Sequence, residues 1–522
     1  MKIPISVDKR VYFGSARELE TDDTGKATEI NLASFRRIHM RSFFLATLGF
    51  FSAFTGWFAI TAIMPSIKSD TGITDASAST SDVTNVLSTV IFRFFVGPLV
   101  DAIGARRVMS TLLVVGSIPL MCAGFVNSGT GLIATRFFVG ILGAVFVPCQ
   151  YWTQSLFSSN VIGSANALSA GWGNLGAGVT YLLTPQVYNA FQAAGVPTHY
   201  TWRVTLLVPA VFCIFVAVLV FFLGDDKPLK PRPDSTATDV EFGDRTMSDV
   251  SLFHAETLVN DAKDAPAPAK DSSASEKSVP TTVVVTSDGP AQSKTMWQNI
   301  IEFAKLAVSP PVLVLMLMYA CSFGVELSVD SKLGGYLSKH FIKPDCNPST
   351  DATQCQYISQ STAGLLGSTF GLLNLFSRAC GGIASDYFAS KTANPLVGRM
   401  GVQLVILLLN GVALVGFSFM DSIAPAMVVL VVFSLLTEAA CGSTYALVPF
   451  VDPLRKGTVS GMVGAGGNIG GAIFNVIFAA NLDHPSRGFL IMGIVVLVGS
   501  LSTLVLKIQN VGGWMIFNWR SK

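Results

Sequence analysis

The sequence predicts an all-α membrane protein in which twelve transmembrane helices form two pseudo-symmetric six-helix bundles. Three observations predict this class. Half of the 522 residues are hydrophobic and only 13% are charged, the mean hydropathy is +0.54, and an arginine motif of the first half recurs in the second. Soluble domains carry about 25% charged residues. The composition therefore excludes a soluble domain, and the net charge of +2 gives no indication of nucleic-acid binding.

Twelve apolar segments are long enough to span a lipid bilayer, which requires about 20 residues each. Six lie in the first half, at 42–66, 82–103, 107–126, 131–155, 161–188 and 202–224. Six lie in the second half, at 308–337, 357–385, 399–419, 424–449, 457–480 and 488–508. The two predicted bundles therefore cover residues 42–224 and 297–508.

Residues 225–296 separate the bundles and are rich in Ser, Thr, Ala, Asp and Lys, without helical or strand periodicity. This composition predicts a disordered linker. The linker is either a solvated tether or, through its serines, a segment regulated by phosphorylation.

The positions of the basic residues predict the topology under the positive-inside rule. They all fall on one side if twelve spans alternate: Arg36, Arg37, Arg41, Arg106, Arg107, Lys391, Arg399, Arg455, Lys456 and Lys507. We therefore expect the N-terminal segment 1–41, the linker and the tail 509–522 to be cytoplasmic. The first forty residues lack the apolar core and cleavage site of a secretory signal, so the first span should be retained.

Two cysteines of the eight, Cys346 and Cys355, fall in a predicted outside loop. An oxidising compartment permits a disulfide there, and two free thiols are the alternative. The chain has no nucleotide-binding Gly-x-x-x-x-Gly-Lys-Ser/Thr motif, so coupling to ATP hydrolysis within it is not expected. We predict neither enzyme activity nor a cofactor nor a metal site.

Two arginines lie at equivalent positions deep inside apolar spans, Arg93 in the second and Arg378 in the eighth. A charge near mid-bilayer costs about 2.5 to 3.5 kcal/mol even on the lenient insertion scale. An interhelical salt bridge would explain one such arginine, whereas a symmetric pair favours a site for a small anion. The guanidinium is planar, permanently charged and rich in donors, which suits a flat or carboxylate-like oxyanion.

A Gly-x-x-x-Asp motif follows each arginine where its span meets the predicted cytoplasmic surface. Small residues allow close helix approach there, and the aspartate can pair with an arginine or a helix N-terminus and so latch one conformation. The predicted gating residues are Gly97, Asp101, Gly382 and Asp386. Two such copies in twelve spans resemble the signature loops of the major facilitator superfamily. The resemblance implies a mid-membrane site and alternating access by rocking of the bundles.

A second duplication, in the fifth and eleventh spans, shares the core Gly-Asn-aliphatic-Gly. Its glycines are Gly171, Gly173, Gly176, Gly466, Gly467 and Gly470, and its asparagines are Asn174 and Asn468. Such runs weaken a helix by roughly 0.5 to 1 kcal/mol per glycine relative to alanine. The glycines serve either flush helix packing or close approach to a small ligand. We expect the two asparagines, which recur in register, to donate amide hydrogens to an anion.

These glycine-rich runs resemble the paired nitrate signatures of the nitrate/nitrite porter family, in its eukaryotic high-affinity nitrate transporter branch. Residues 161–166, 321–327 and 445–451 resemble further blocks of that family, and the likeness extends from about residue 27 to about 482. Plant members work with a small single-span accessory protein, so the resemblance suggests such a partner here. The linker looks longer than in plant members, and the tail is short.

The resemblance also implies a ligand set for nitrate. Arg93 and Arg378 would clamp the anion from the two halves, and Asn174 and Asn468 would complete its coordination. Phe146 and Tyr319 match aromatic positions that sandwich the flat anion in bacterial relatives. Packing in the apolar core is the alternative role for these two rings.

Uptake of nitrate must be coupled to a cation, because an inside-negative potential opposes anion entry by about 2.3 kcal/mol per elementary charge per 100 mV. Glu326 in the seventh span is the proton-carrier candidate, and Asp330 and Glu438 are weaker candidates. The alternative is that Glu326 forms a fixed salt bridge, with Lys332 as its partner. The sequence does not separate proton from sodium coupling.

We therefore predict a plasma-membrane symporter that takes up nitrate and nitrite with high affinity, with the proton as the expected coupling ion and sodium as the alternative. A transporter of another small anion, such as an organic carboxylate, is one competing hypothesis. A membrane nitrate sensor is another, and it would be indicated by a signalling domain, which only residues 225–296 could supply.

Overall fold

The computed structural model describes residues 11–226, 296–341, 357–358, 360–481, 484–509 and 511–512. Nearly all of the predicted linker, most of the tail and the Cys346–Cys355 pair lie outside these residues. Two short strand pairs flank the helices. Strand β1 (Val11–Tyr12) pairs in parallel with β2 (Ile30–Asn31), and β3 (Lys507–Ile508) pairs antiparallel with β4 (Val511–Gly512).

Helices make up nearly all of the rest of the described chain. Those of the first half are α1 Ile38–Ala62, α2 Met64–Thr71, α3 Asp75–Ile103, α4 Ala105–Cys122, α5 Gly129–Val139, α6 Phe146–Leu156, α7 Ile162–Ala193 and α8 Thr198–Leu223. Those of the second half are α9 Met296–Ala307, α10 Pro310–Ala320, α11 Phe323–His340, α12 Gln360–Leu372, α13 Ser377–Lys391, α14 Pro395–Ser418, α15 Ile423–Tyr445, α16 Lys456–Ala479 and α17 Pro485–Ser500. Short 3₁₀ turns join several of them, including Gly140–Val145 between α5 and α6.

Ten helical segments among the described residues are long and apolar enough to cross a membrane. They match ten of the twelve predicted spans. Helix α7 and the pair α12 and α13 occupy the positions of the fifth and eighth. These helices carry the asparagine, the arginine and many of the glycines singled out in the sequence. Their lower apolarity follows from their place in the interior, where helices face protein rather than lipid.

The most extensive contacts between the halves are those of α3 with α16 and of α7 with α13, and α7 also contacts α12 and α15. Both pairs pack closely because glycines face each other. A Cβ atom added to Gly97 of α3 would lie 2.9 Å from the carbonyl oxygen of Gly457 in α16. The helices α1 to α8 and α10 to α17 belong to one compact unit. This packing brings the second and eleventh spans, and the fifth and eighth, together at the centre.

The N-terminal segment is folded against the loop between α6 and α7. The amide of Ala27 donates to the carbonyl of Leu156 (2.9 Å), and the amide of Ser158 donates to the carbonyl of Ala27 (2.9 Å). Glu29 accepts hydrogen bonds from Arg17 and Tyr12. The sequence predicts only a polar segment here, because Leu156 and Ser158, the hydrogen-bond partners of Ala27, lie more than a hundred residues away along the chain.

Asp70, in α2 outside the membrane spans, accepts hydrogen bonds from Trp202, Arg203 and His199. Partial burial alone would raise its pKa, but these donors lower it from the ordinary 3.8 to about 2. Because the folded-state pKa is depressed, the network stabilises the chain above the ordinary pKa and is lost as the pH falls through about 2. We expect Asp70→Asn to lower the melting temperature by the same amount at pH 8 and pH 9, above the range in which histidine ordinarily titrates. A much larger loss at one of these pH values would contradict this assignment.

Candidate substrate site and gates

Arg93 is fully buried and is held by backbone carbonyls. Its Nε and Nη2 donate to the carbonyl oxygen of Gly143 at 3.1 and 2.9 Å, and its Nη1 donates to that of Gly464 at 2.6 Å. Gly143 belongs to the first half and Gly464 to α16 of the second. Arg93 therefore bridges the two halves while keeping its full positive charge, because carbonyl groups satisfy its donors without neutralising it.

Arg378 is also buried, but carboxylates hold it. Its Nη2 forms an ion pair with Oε2 of Glu326 and lies 3.4 Å from Oε2 of Glu438. Glu326 and Glu438 are 2% and 0% exposed. The partner of Glu326 is therefore Arg378 rather than Lys332, which the sequence had suggested for a fixed salt bridge. One guanidinium faces two carboxylates.

The asparagines of the two glycine-rich runs occupy different situations. Asn174 donates from Nδ2 to Oε1 of Glu326 at 2.7 Å, and Asn374 donates to the same oxygen at 3.1 Å. In contrast, neither amide atom of the buried Asn468 has a hydrogen-bond partner among the described residues. Burying an unpaired amide is costly. Asn468 is thus available to a ligand, whereas Asn174 is engaged by Glu326.

Aromatic rings line the space between the arginines. The rings of Phe146 and Tyr319 are nearly parallel, at 15°, with their centroids 6.1 Å apart. A flat ion between two rings requires roughly 7 Å, twice a carbon contact distance. A small increase in the distance between the two rings would therefore admit a flat anion. The ring of Phe323 lies within 6 Å of both guanidiniums, at 5.4 Å from Arg93 and 5.7 Å from Arg378, so its π system attracts both positive charges.

The signature glycines allow close helix packing. A Cβ atom on any of the six would come within 3.0 Å of a neighbouring helix. Gly173 and Gly176 meet α1, Gly466 and Gly470 meet α10, and Gly171 meets the backbone of Asn374. Of the two roles that the sequence left open, these contacts favour packing. The close approach places the asparagines and arginines of the two halves in one small volume.

Each aspartate of the Gly-x-x-x-Asp motifs caps a helix of the opposite half. Asp101 accepts hydrogen bonds from the amides of Gly457 and Thr458 at the start of α16, both at 2.8 Å. Asp386 accepts from the amides of Gly163 (3.1 Å) and Ser164 (2.6 Å) at the start of α7. A carboxylate at a helix N-terminus is stabilising by about 0.3 to 1 kcal/mol or more. The two caps are related by the pseudo-symmetry of the halves, and Arg399 reinforces the second at 2.7 Å from Asp386.

The halves are separated on the opposite side of the arginines by a cavity of 290 Å³. Its walls come from α1, α3, α5 and α7 of the first half and from α11, α16 and α17 of the second. Arg136, which pairs with Asp82 at 2.8 Å, and Lys332 contribute positive charges to it. The helix caps therefore close the halves towards the predicted cytoplasmic side, and the cavity lies on the other side of the site.

A substitution at Gly382 tests whether transport requires the close packing of α13 on α7. A Cβ atom on this residue would overlap the carbonyl oxygen of Gly163, whereas a Cβ on Gly401 would have no atom within 4 Å. We expect Gly382→Ala to prevent the close packing of α13 on α7 and to reduce transport roughly tenfold or more per molecule at the surface. Gly401→Ala, the matched control, should behave as the wild type. Equal transport by both variants would show that this contact does not gate the site.

Several site residues have no role assigned from the sequence. Asn374 and Cys441 both contact Glu326, and Phe323 and Tyr445 contact the predicted aromatic pair. Asn374 lies four residues before Arg378, one helical turn, and this spacing could have indicated it. Phe323 and Tyr445 lie inside motif blocks that carried no ligand assignment.

The profile of the Major Facilitator Superfamily matches residues 46–474. The chain therefore belongs to this superfamily and is a multi-pass membrane transporter, not an enzyme. The fold is similar to that of the E. coli fucose:proton symporter, with a TM-score of 0.57 at 11% identity over 90% of this chain and 98% of that one.

Two relatives show which family of the superfamily this chain belongs to. High-affinity nitrate transporter 2.3 of Oryza sativa subsp. japonica is 28% identical over 500 residues, covering 95% of this chain and 83% of the relative. Nitrate transporter 2.1 of Chlamydomonas reinhardtii is 30% identical over 480 residues, covering 91% and 75%. The chain belongs to the nitrate/nitrite porter family, in the branch of the eukaryotic high-affinity nitrate transporters.

Proposed function

We propose that this chain takes up nitrate and nitrite with high affinity by symport with a cation, and that the cation is a proton. Relatives that align along nearly the whole chain are named nitrate transporters. One observation supports coupling to a proton. The carboxylate of Glu326 occupies the donors that nitrate would use, namely Arg378 and Asn174.

Ionised Glu326 and nitrate compete for the same guanidinium and the same amide. Protonation of Glu326 removes the charge that holds the ion pair, so Arg378 and Asn174 become free to bind the anion. Nitrate therefore binds best when Glu326 carries a proton. Such competition links the two ligands without requiring that they touch.

The charges of the site balance in the loaded state. Arg93 and Arg378 contribute two positive charges, and nitrate together with one ionised carboxylate of the Glu326–Glu438 pair contributes two negative ones. If both carboxylates were ionised, the buried site would carry an extra negative charge. At 4 Å and an effective dielectric constant of 20, one such repulsion costs about 4 kcal/mol. One proton on the pair removes it, and on Glu326 that proton also releases Arg378.

In the transport cycle, the site is open first to the cavity on one side and then to the cytoplasm on the other. Nitrate reaches the arginines through the cavity that Arg136 and Lys332 line. Rocking of the halves closes this cavity and breaks the helix caps at Asp101 and Asp386. The anion and the proton then leave to the cytoplasm.

Uptake of isotopically labelled nitrate by cells expressing this chain tests the proposal. We expect uptake that increases with an inward pH gradient, is indifferent to a sodium gradient, and is inhibited by excess nitrite but not by malate. Stimulation by sodium would contradict the proton as the coupling ion. Inhibition by malate would favour the organic-carboxylate hypothesis, and nitrate binding without uptake would favour a sensor.

The cellular setting is also part of the proposal. We place the transporter in the plasma membrane with both termini cytoplasmic, on the basis of the basic residues that flank the spans. The family makes a single-span accessory protein a candidate partner. Uptake by the chain expressed alone would show that this partner is dispensable.

A further inference from the structure

We propose that Asp330 is the residue that takes the coupling proton from the outside and passes it to Glu326. This inference rests on the proposed function and adds to it a proton route beside the route of the anion. Asp330 and Glu326 lie four residues apart on α11. One helical turn separates them, so their side chains share a face of the helix.

Asp330 faces a cavity, and it has no hydrogen bond or ion pair among the residues that the structure describes. The cavity measures 270 Å³, and Asp330 is the only charged residue among its described lining residues. Half of that lining is glycine, namely Gly178, Gly334, Gly335, Gly367 and Gly371. The absence of side chains at these positions leaves room for water next to the carboxylate. An aspartate inside a membrane protein without a salt bridge is costly unless water or a proton reaches it.

The cavity of Asp330 adjoins the one proposed for the anion. Both are lined by Thr61, Tyr181, Ser331 and Gly335. Among the described lining residues, the larger cavity carries Lys332 and the Arg136–Asp82 ion pair, a net positive charge, whereas the smaller carries only the carboxylate of Asp330. The two therefore suit different ions, an anion in the first and a proton in the second.

Next to Asp330 lies a cluster of buried polar side chains in which Glu326 is the proposed proton acceptor. Glu326 is paired with Arg378 on α13, and Cys441 of α15 donates to it at 3.4 Å. Glu438 of α15 contacts the same nitrogen of Arg378 as Glu326 does, and one of its two oxygens, Oε1, has no hydrogen-bond partner among the described residues. The charged groups near Asp330 are Glu326, Arg378 and Glu438, and Tyr181 lines the same cavity.

The transfer balances without any other reactant. Asp330 gains a proton from water in the cavity and loses it to the carboxylate of Glu326, which then releases Arg378. Asp330 returns to its ionised form and can load again after the proton has left to the cytoplasm.

Proteoliposomes that contain the full chain can separate the two routes. We compare nitrate counterflow at equal pH on both sides, which needs no net proton movement, with uptake driven by a pH gradient and with proton flux read from a pH-sensitive dye. For Asp330→Asn we expect counterflow close to that of the wild type, but gradient-driven uptake and nitrate-evoked proton flux reduced roughly tenfold or more. Asp330→Glu should restore both.

Asp421→Asn, an exposed aspartate in the loop between α14 and α15, is the matched control and should behave as the wild type. Proton flux in Asp330→Asn equal to that of the wild type would overturn the inference. So would a parallel loss of counterflow, since it would place Asp330 in the anion route. A wild type that shows counterflow but no nitrate-evoked proton flux would instead overturn the proposed proton symport itself.

Discussion

Arg93→Ala is expected to abolish the inward current that nitrate evokes at micromolar concentration in voltage-clamped cells, at both acid and neutral external pH. Of the two buried arginines, Arg93 is the one whose guanidinium is held by backbone carbonyls rather than by carboxylates. Its charge is therefore free to attract an anion. Removing one partner of a buried, hydrogen-bonded charge pair costs about 2 to 5 kcal/mol. The corresponding rise in the nitrate concentration for half-maximal current is roughly thirtyfold or more.

Two further variants make this measurement specific. Arg93→Lys keeps the charge but loses the planar fork of donors, so we expect a smaller current with weaker apparent affinity. Arg107→Ala removes an exposed arginine of α4 and serves as the control. Arg93→Ala also leaves the carbonyls of Gly143 and Gly464 without their donor, which can reduce the amount of folded protein. Labelling of the protein at the cell surface corrects the current for this loss. A current in Arg93→Ala that matches the wild type would exclude Arg93 from the nitrate site.

Glu326→Gln is expected to strengthen nitrate binding about tenfold at neutral pH, by about 1.4 kcal/mol, and to remove its pH dependence. Glutamine keeps an oxygen that can accept from Asn174 and Asn374, but it cannot hold the charge of Arg378. Nitrate then meets no competing carboxylate at this guanidinium. In the wild type, binding should tighten as the pH falls, because the competent form has gained a proton.

Titration of purified protein with nitrate at pH 5.5 and pH 7.5 measures both effects. Transport by Glu326→Gln should persist as exchange but should no longer accumulate nitrate against a gradient. Glu302→Gln, in α9 outside the membrane spans, is the control and should keep the pH dependence of the wild type. Loss of binding in Glu326→Gln at both pH values would instead indicate that Glu326 is a fixed structural partner of Arg378.

Much of the architecture can be predicted from local features of the chain. A span needs only a sufficient run of apolar residues, and ten of the predicted spans are found as long apolar helices. The duplicated motifs also predicted that Arg93 and Arg378 lie inside their spans, and they left an arginine or a helix N-terminus as the partner of Asp101 and Asp386. These features are visible because a duplicated bundle repeats its residues at one constant interval.

The fifth and eighth spans show the limit of apolarity as a signal. Helix α7 has 32 residues, yet its glycines and asparagine make it less apolar than the other spans. The two helices α12 and α13 are separated by a 3₁₀ turn at Leu373–Leu375. Helices that line the centre of a bundle can be polar because protein, not lipid, surrounds them.

The sequence by itself determined the class of protein, the number of spans and the residues that repeat between the halves, since each depends on composition or on spacing along the chain. Only the tertiary structure decided which charges meet. Glu326 pairs with Arg378 and takes Asn174 from the opposite half, while Arg93 turns to the carbonyls of Gly143 and Gly464. These partners are distant in sequence, and their choice depends on the packing of glycine-lined helices that no local pattern specifies.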